Sequence, residues 1–229
     1  LKNSIKNIDA TIGLKNIPSS SVDLIVTDPP YPVISGGPGD KTSPQGVIKS
    51  NDGKIFKHND IHIKEWIYEC YRVLKPNTHI YIMVNFLNLS EYLIEIQKAK
   101  FKLHNLLVWK KNNVTPNRWY MKNAEYTIFA YKGSAKRINN VGQSNTVHEI
   151  KNITGNKVHP TEKPIELMDL YINNSSNKND LVLDPFMGSG SVALSCINNK
   201  RNYIGFEIDK DYYNIINNRI KNNINTKLF

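Results

Sequence analysis

Short β-branched and aromatic runs alternate along this sequence with segments whose apolar residues recur every three to four positions. That alternation predicts an α/β fold, doubly wound, with a mainly parallel sheet covered by helices on both faces. A second observation describes one part of that sheet. LVLDPFMGSGSVALSCI followed by RNYIGFEIDKDYY reads as strand, glycine turn, helix and second strand. A third is TDPPYP at 27–32, where an acid, two prolines and a tyrosine follow the apolar run VDLIV. Proline cannot donate to a sheet ladder, so the strand must stop there.

The strand segments are Val22–Thr27, His79–Val84, Leu103–Trp109, Glu125–Tyr131, Leu181–Asp184 and Asn202–Phe206. Each is short and rich in β-branched or aromatic residues, with turn signals nearby. Between them, Ile63, Trp66, Ile67, Cys70 and Leu74 fall on one helical stripe, with Asn59 or Asp60 as N-cap and Pro76 beyond the end. Asn88 is placed to cap a helix carrying Leu89, Tyr92, Leu93 and Ile96. Pro164 suits a first helical turn leading into Ile165, Met168 and Tyr171. From Asp211 onward, Tyr212, Ile215, Ile216 and Ile220 share one face. Residues 32–54 and 132–160 are polar, rich in Gly, Ser, Asn or Lys, and carry neither period. Loops of that length usually bind or cover something.

With 229 residues, 40% hydrophobic and 22% charged, the chain suits a single domain over 1–229. No apolar run approaches the roughly 18 to 20 residues that span a bilayer, so no membrane partner is expected. LKNSIKNIDA lacks the apolar core of a secretory signal, and the chain reads as cytoplasmic. Cys70 and Cys196 are too few for a disulfide framework and lie outside metal-ligand spacings, so no metal is expected. A net charge of +10 favours a polyanionic partner. A generally Lys- and Asn-rich composition is the plainer explanation of the same number.

In the glycine turn, Gly188 and Gly190 let the backbone bend sharply and approach a ligand. Glu207, at the end of the next strand, is placed to accept hydrogen bonds from ribose hydroxyls. Gly188-x-Gly190-x-x-Ala193 also satisfies the dinucleotide fingerprint. Against a dinucleotide stands Asp184-Pro185-Phe186, which puts a carboxylate at the pocket mouth where it would repel a pyrophosphate. A cationic ligand with an adenosine portion suits these groups better, and S-adenosylmethionine has that description.

DPPY at 28–31, HPTEKP at 159–164 and DPFMGSGS at 184–191 together closely resemble the amino-group DNA methyltransferases. Their order, catalytic motif first and cofactor turn last, is the circularly permuted β-class arrangement. The resemblance extends to IDATIGLKNIPSSSVDLIVTDPPY and so spans almost the whole chain. It implies a Rossmann-like sheet of seven strands in which Leu103–Trp109 and Glu125–Tyr131 form an antiparallel hairpin. It further implies a strand near Ile5–Ile8 that brings Asp9 and Ala10 to the adenine of the cofactor. Phe186, Gly188, Gly190 and Ser191 would line S-adenosylmethionine, with Asp184 and Asp28 at the same crevice, and Glu207 would hold its ribose. His159, Thr161 and Lys163 would support the methionine end, with Lys163 toward its carboxylate. Two positions depart from the family's usual residues: Ser191 stands where Thr is frequent, and Pro32 where Asn is common.

The reaction implied is methyl transfer to an exocyclic amino group, whose lone pair is delocalised into the ring. Asp28 and the carbonyl of Pro29 would accept its two N–H groups, stabilising the charge that develops on nitrogen, while Pro30 stiffens the turn and Tyr31 stacks on a base extruded from the duplex. Carbon-5 cytosine methylation would need a nucleophilic cysteine. Cys70 and Cys196 read instead as small core residues. DPPY resembles the adenine N6 enzymes more than the cytosine N4 enzymes, which remain the alternative, together with a catalytically inactive DNA-binding accessory subunit. For DNA contact, Lys110, Lys111, Arg118 and Trp119 mix basic and aromatic character. A solvated hairpin loop with its aromatics packed on the sheet explains them equally well. Target-recognition loops are expected at 32–58, 110–123 and 132–158. The resemblance leaves a homodimer and a cognate restriction nuclease open as partners.

Overall fold

The computed structural model describes residues 2–31, 61–115, 119–153 and 162–226. Eight strands form one sheet: β1 (Ser4–Lys6), β2 (Val22–Thr27), β3 (Leu74–Val84), β4 (Lys102–Thr115), β5 (Lys122–Tyr131), β6 (Val147–Glu149), β7 (Leu181–Asp184) and β8 (Asn202–Phe206). Their order is β1-β8-β7-β2-β3-β5-β4-β6. The first five in that order run parallel. Strand β5 runs antiparallel to both β3 and β4, so the hairpin expected from the sequence is present.

The sheet departs from expectation in three places. Among the described residues it has eight strands rather than seven, because Val147–Glu149 adds a short strand parallel to Val108–Lys110 of β4. Three residues without alternation are too weak a pattern to read in sequence. The hairpin is longer than its apolar stretch, since Thr115 still pairs with Lys122; most of 110–123 is therefore strand rather than loop. Backbone bonds can extend a ladder past the residues that bury side chains. Finally, the stripe from Ile63 to Leu74 divides into a 3₁₀ turn at Ile63–Glu65 and helix α2 at Ile67–Val73, and Leu74 opens β3. His62 and Glu65 form a capping box at that turn, while Asn59 and Asp60 lie outside the described residues.

Helices α1 (Ala10–Lys15), α2 and α3 (Leu89–Lys98) cover one face. Leu14, Trp66, Ile67, Cys70, Tyr92 and Ile96 pack there against Ile25, Ile80 and Ile82. Helices α4 (Ile165–Ser175), α5 (Ser191–Asn198) and α6 (Lys210–Thr226) cover the other. Leu167, Tyr171, Ala193, Cys196 and Ile216 meet Leu24, Val26 and Val182 on that side. Central strands with helices on both faces are buried on both, which is why VDLIVT shows no alternation. Both cysteines are buried core residues, as the sequence suggested. Asn88 occupies the N-cap position of α3 without a side-chain cap bond, while Asn85 caps the preceding 3₁₀ turn Phe86–Asn88, accepting the Asn88 N–H at 3.0 Å. Asp209 caps α6, accepting the Asp211 N–H at 2.8 Å.

Candidate active site

Strands β2 and β7 lie side by side, but β2 leads through α2 to β3 on one side and β7 through α5 to β8 on the other. Loops that leave a parallel sheet in opposite directions open a crevice at the strands' carboxyl ends. Asp28 follows β2 at that point and Asp184 ends β7. The Thr27 hydroxyl donates to Asp184 Oδ1 at 2.7 Å, and the Phe186 N–H donates to the same oxygen at 3.0 Å. One buried carboxylate thus ties the two motif turns together. Burial pushes the Asp184 carboxyl up to about 7 despite these bonds, and the charges of Asp28 and Glu207 act in the same direction.

On the β2 side, Pro29 is buried and Asp28, Pro30 and Tyr31 are half-buried. Two adjacent prolines fix φ and leave this turn few alternatives. Tyr31 donates its hydroxyl to Asp28 Oδ1 at 2.7 Å, and Lys163 Nζ donates to Oδ2 at 2.5 Å. Burial and the Asp28 charge raise the Tyr31 pKa, which keeps the hydroxyl a donor. Lys163 is itself buried, next to the Pro164 cap of α4. Its ammonium also lies 3.5 Å from Glu125 Oε2, and the other Glu125 oxygen takes Lys111. Burial opposes the charge on Lys163, yet Asp28 and Glu125 outweigh it and raise the pKa. Burial likewise pushes Glu125 up, but Lys163 and Lys111 hold it below the usual carboxylate range.

On the β7 side, Gly188 and Gly190 have φ of +53° and +83°, where side chains are strained. A Cβ on Gly190 would meet Ile216 Cγ2 of α6 at 2.8 Å. Ser191 opens α5 and donates its hydroxyl to the Lys163 carbonyl at 2.8 Å, joining the glycine turn to the lysine loop. Glu207 accepts the Gly188 N–H at 2.9 Å and the Asp209 N–H at 2.8 Å, and burial raises its pKa. The Ile8 N–H donates to the Glu207 carbonyl at 3.2 Å, which brings Asp9 and Ala10 alongside. Asp9 caps α1, accepting the Thr11 N–H at 2.7 Å. A row of edge-to-face rings joins the two sides: Phe186 on Trp66 at 5.3 Å, Trp66 on Tyr92 at 6.4 Å and Tyr92 on Tyr31 at 6.4 Å.

A DNA methylase family profile for N6- and N4-methylating enzymes matches residues 22–218. The chain belongs to the N6/N4 DNA methylases. Among characterised proteins it is similar to the Type II methyltransferase M.HinfI of Haemophilus influenzae, 33% identical over 96% of this chain and 68% of that one. It is likewise similar to M2.MboI of Moraxella bovis, 30% identical over 90% and 83% of the two chains. A solved structure of M1.HpyAVI in complex with S-adenosylmethionine superimposes with a TM-score of 0.71 at 28% identity, over 94% of this chain and 98% of that one. The cytosine-N4-specific PvuII methyltransferase shares the fold at a TM-score of 0.71 and 17% identity, over 93% and 84%.

In this methylase, Asp28, Tyr31, Lys163, Asp184, Phe186, Gly188, Gly190, Ser191, Glu207, Asp9 and Ala10 meet along one rim of the sheet. His159, Thr161, Arg118 and Pro32 lie outside the described residues. The two lysines Lys110 and Lys111 take different partners. Lys110 pairs with exposed Glu149 at 2.7 Å, whereas Lys111 turns inward to Glu125 over the Trp109 ring. Trp119 is 77% exposed and Tyr120 93% at the hairpin tip. Sequence reasoning passed over Glu125, Glu162 and Arg219. Arg219 of α6 donates to the Ser189 carbonyl at 2.5 Å and pairs with buried Glu162 at 2.6 Å, stapling the glycine turn to the HPTEKP segment. Arg219 lies three positions after Ile216 on the inward face of α6, and Glu125 is an acid opening an apolar strand. Both signals were present and weak.

Proposed function

We propose that this methylase transfers a methyl group from S-adenosylmethionine to the N6 amino group of adenine in DNA, on a base extruded from the duplex. The observation that carries the reading is the adjacency of Asp28 and the glycine turn across the β2–β7 crevice, joined through Thr27 and Asp184.

The residues present fit this cofactor. Gly188 and Gly190 keep side chains out of a turn that faces Glu207, and the Glu207 carboxylate is an acceptor suited to ribose hydroxyls. Phe186 is half-buried and offers a ring face for an adenine, and no group of the turn itself is cationic. Asp9, Ala10 and Ser191 complete that wall, with His159 and Thr161 assigned to the methionine end, while the Lys163 ammonium is held between Asp28 and Glu125 beside the DPPY turn. Bound S-adenosylmethionine supplies an electrophilic methyl group on a sulfonium.

The chain's own part is orientation and charge. Asp28 and the Pro29 carbonyl accept the two N–H groups of the target nitrogen, hold it in line with the methyl group and stabilise the positive charge it acquires. The two prolines hold those acceptors in a fixed relation, and Tyr31 stacks on the base. DNA is drawn by the net positive charge, with Lys110, Arg118 and Trp119, the last exposed at the hairpin tip, assigned to its contact. Adenine is preferred over cytosine because the motif begins with Asp rather than Ser. Methylated DNA digested to nucleosides and analysed by mass spectrometry should contain N6-methyladenine. N4-methylcytosine without N6-methyladenine would overturn the choice of base and leave the class of reaction standing.

A further inference from the structure

Both oxygens of Asp28 are engaged, Oδ1 by the Tyr31 hydroxyl and Oδ2 by Lys163 Nζ at 2.5 Å. On the amino-methylation reading, Asp28 must offer negative charge to a nitrogen that becomes positive. An ammonium bound directly to that carboxylate opposes the same charge, and strongly so away from bulk water. Lys163 has a second carboxylate within reach, Glu125 Oε2 at 3.5 Å. Glu125 sits on β5 opposite Trp109, and Lys111 holds its other oxygen. The four charges of Asp28, Glu125, Lys163 and Lys111 sum to zero, so moving the ammonium between the carboxylates adds no net charge to the crevice.

We propose that Glu125 is a positioning residue that draws Lys163 off Asp28 when the target amino group enters. Asp28 then meets the nitrogen with its charge available. Lys111 has two effects: it anchors Glu125, and it weakens the hold of Glu125 on Lys163, so that Lys163 rests on Asp28 until the base arrives. This inference depends on the function proposed above, and the test separates the two.

Wild type, Glu125→Gln and Glu125→Asp are compared for single-turnover methyl transfer from labelled S-adenosylmethionine to unmethylated DNA, and for binding of each ligand. Glu125→Gln keeps the shape and removes the charge. It should lower the single-turnover rate about tenfold or more with both dissociation constants within about threefold, and Glu125→Asp should recover part of the rate. A structural role alone would shift binding and melting temperature together with the rate. A Glu125→Gln rate equal to wild type, or a loss that follows weakened cofactor binding, overturns the inference. Should Glu125→Gln fail to fold, Glu125→Asp decides: a slower rate with intact binding supports the role and an unchanged rate overturns it. A wild type that binds both ligands yet methylates no amino group overturns the functional reading instead.

Discussion

The two sides of the crevice hold their carboxylates by different means. On the β2 side Asp28 and Glu125 are balanced by lysines, Lys163 shared between them and Lys111 beyond. On the β7 side Asp184 and Glu207 are held by a hydroxyl and backbone N–H groups. Backbone donors are fixed by the fold, so that side is a rigid cradle shaped before a ligand arrives. Lysine ammoniums ride on flexible stems and can change partners within an ångström or so. The difference matches the tasks assigned: a constant surface for a cofactor, and an adjustable charge where a nitrogen becomes positive.

Asp28→Asn should separate the two sides most sharply. Transfer should fall on the order of 100- to 1,000-fold, the scale of losing one electrostatic stabiliser, while cofactor affinity in equilibrium dialysis stays within a few-fold. Substantial methylation by a folded variant would remove Asp28 from its assigned role. Glu207→Gln should do the reverse. Losing a charged acceptor costs about 1.5 to 3 kcal/mol, read as weaker cofactor binding with little change in the rate at saturation. Gly190→Ala tests how rigid the cradle is. A left-handed φ of +83° and the approach of Ile216 at 2.8 Å should cost roughly 1 to 2 kcal/mol or more in denaturant unfolding.

Asp184 gives a pH signature. Its carboxyl rises from 3.8 to about 7 on folding, so between those values the folded chain retains a proton that the unfolded chain releases. Stability from this group therefore falls as pH rises from about 4 to 7 and is level above that. Asp184→Asn should flatten this slope, with a gain on the order of a few kcal/mol at pH 7 to 8 that disappears near pH 4. An unchanged slope would mean the proton resides elsewhere. The smallest effect is expected at Lys110, whose partner Glu149 is exposed. Lys110→Ala should reduce the salt slope of DNA binding by about one if the lysine meets a phosphate, with stability nearly unchanged.

Much of this rim was legible before the fold was known. TDPPY marked a strand end because proline cannot continue a ladder, and the glycine turn with its following acid pointed to a nucleoside site because glycine takes a left-handed φ at the least cost and leaves room for a ligand. Both are local consequences of backbone chemistry, and local consequences can be read from a string of residues. Lys111 shows where this reading ends. In sequence it belonged with Lys110, Arg118 and Trp119 as a DNA contact, but alternation along β4 turns it inward to Glu125. The short β6 was missed because its stability comes from pairing with β4 and from no pattern of its own.

What the sequence determined by itself was most of the elements, the fold class and the chemistry each motif could perform. What only the tertiary structure decided was which polar and charged groups meet. Lys163 reaches Asp28 across 135 positions of chain, Arg219 reaches Ser189 across 30, and Thr27 reaches Asp184 across 157. Such pairs follow from strand order and helix packing, where a side chain's partner is whatever the neighbouring element presents. No spacing rule within a single segment contains that information.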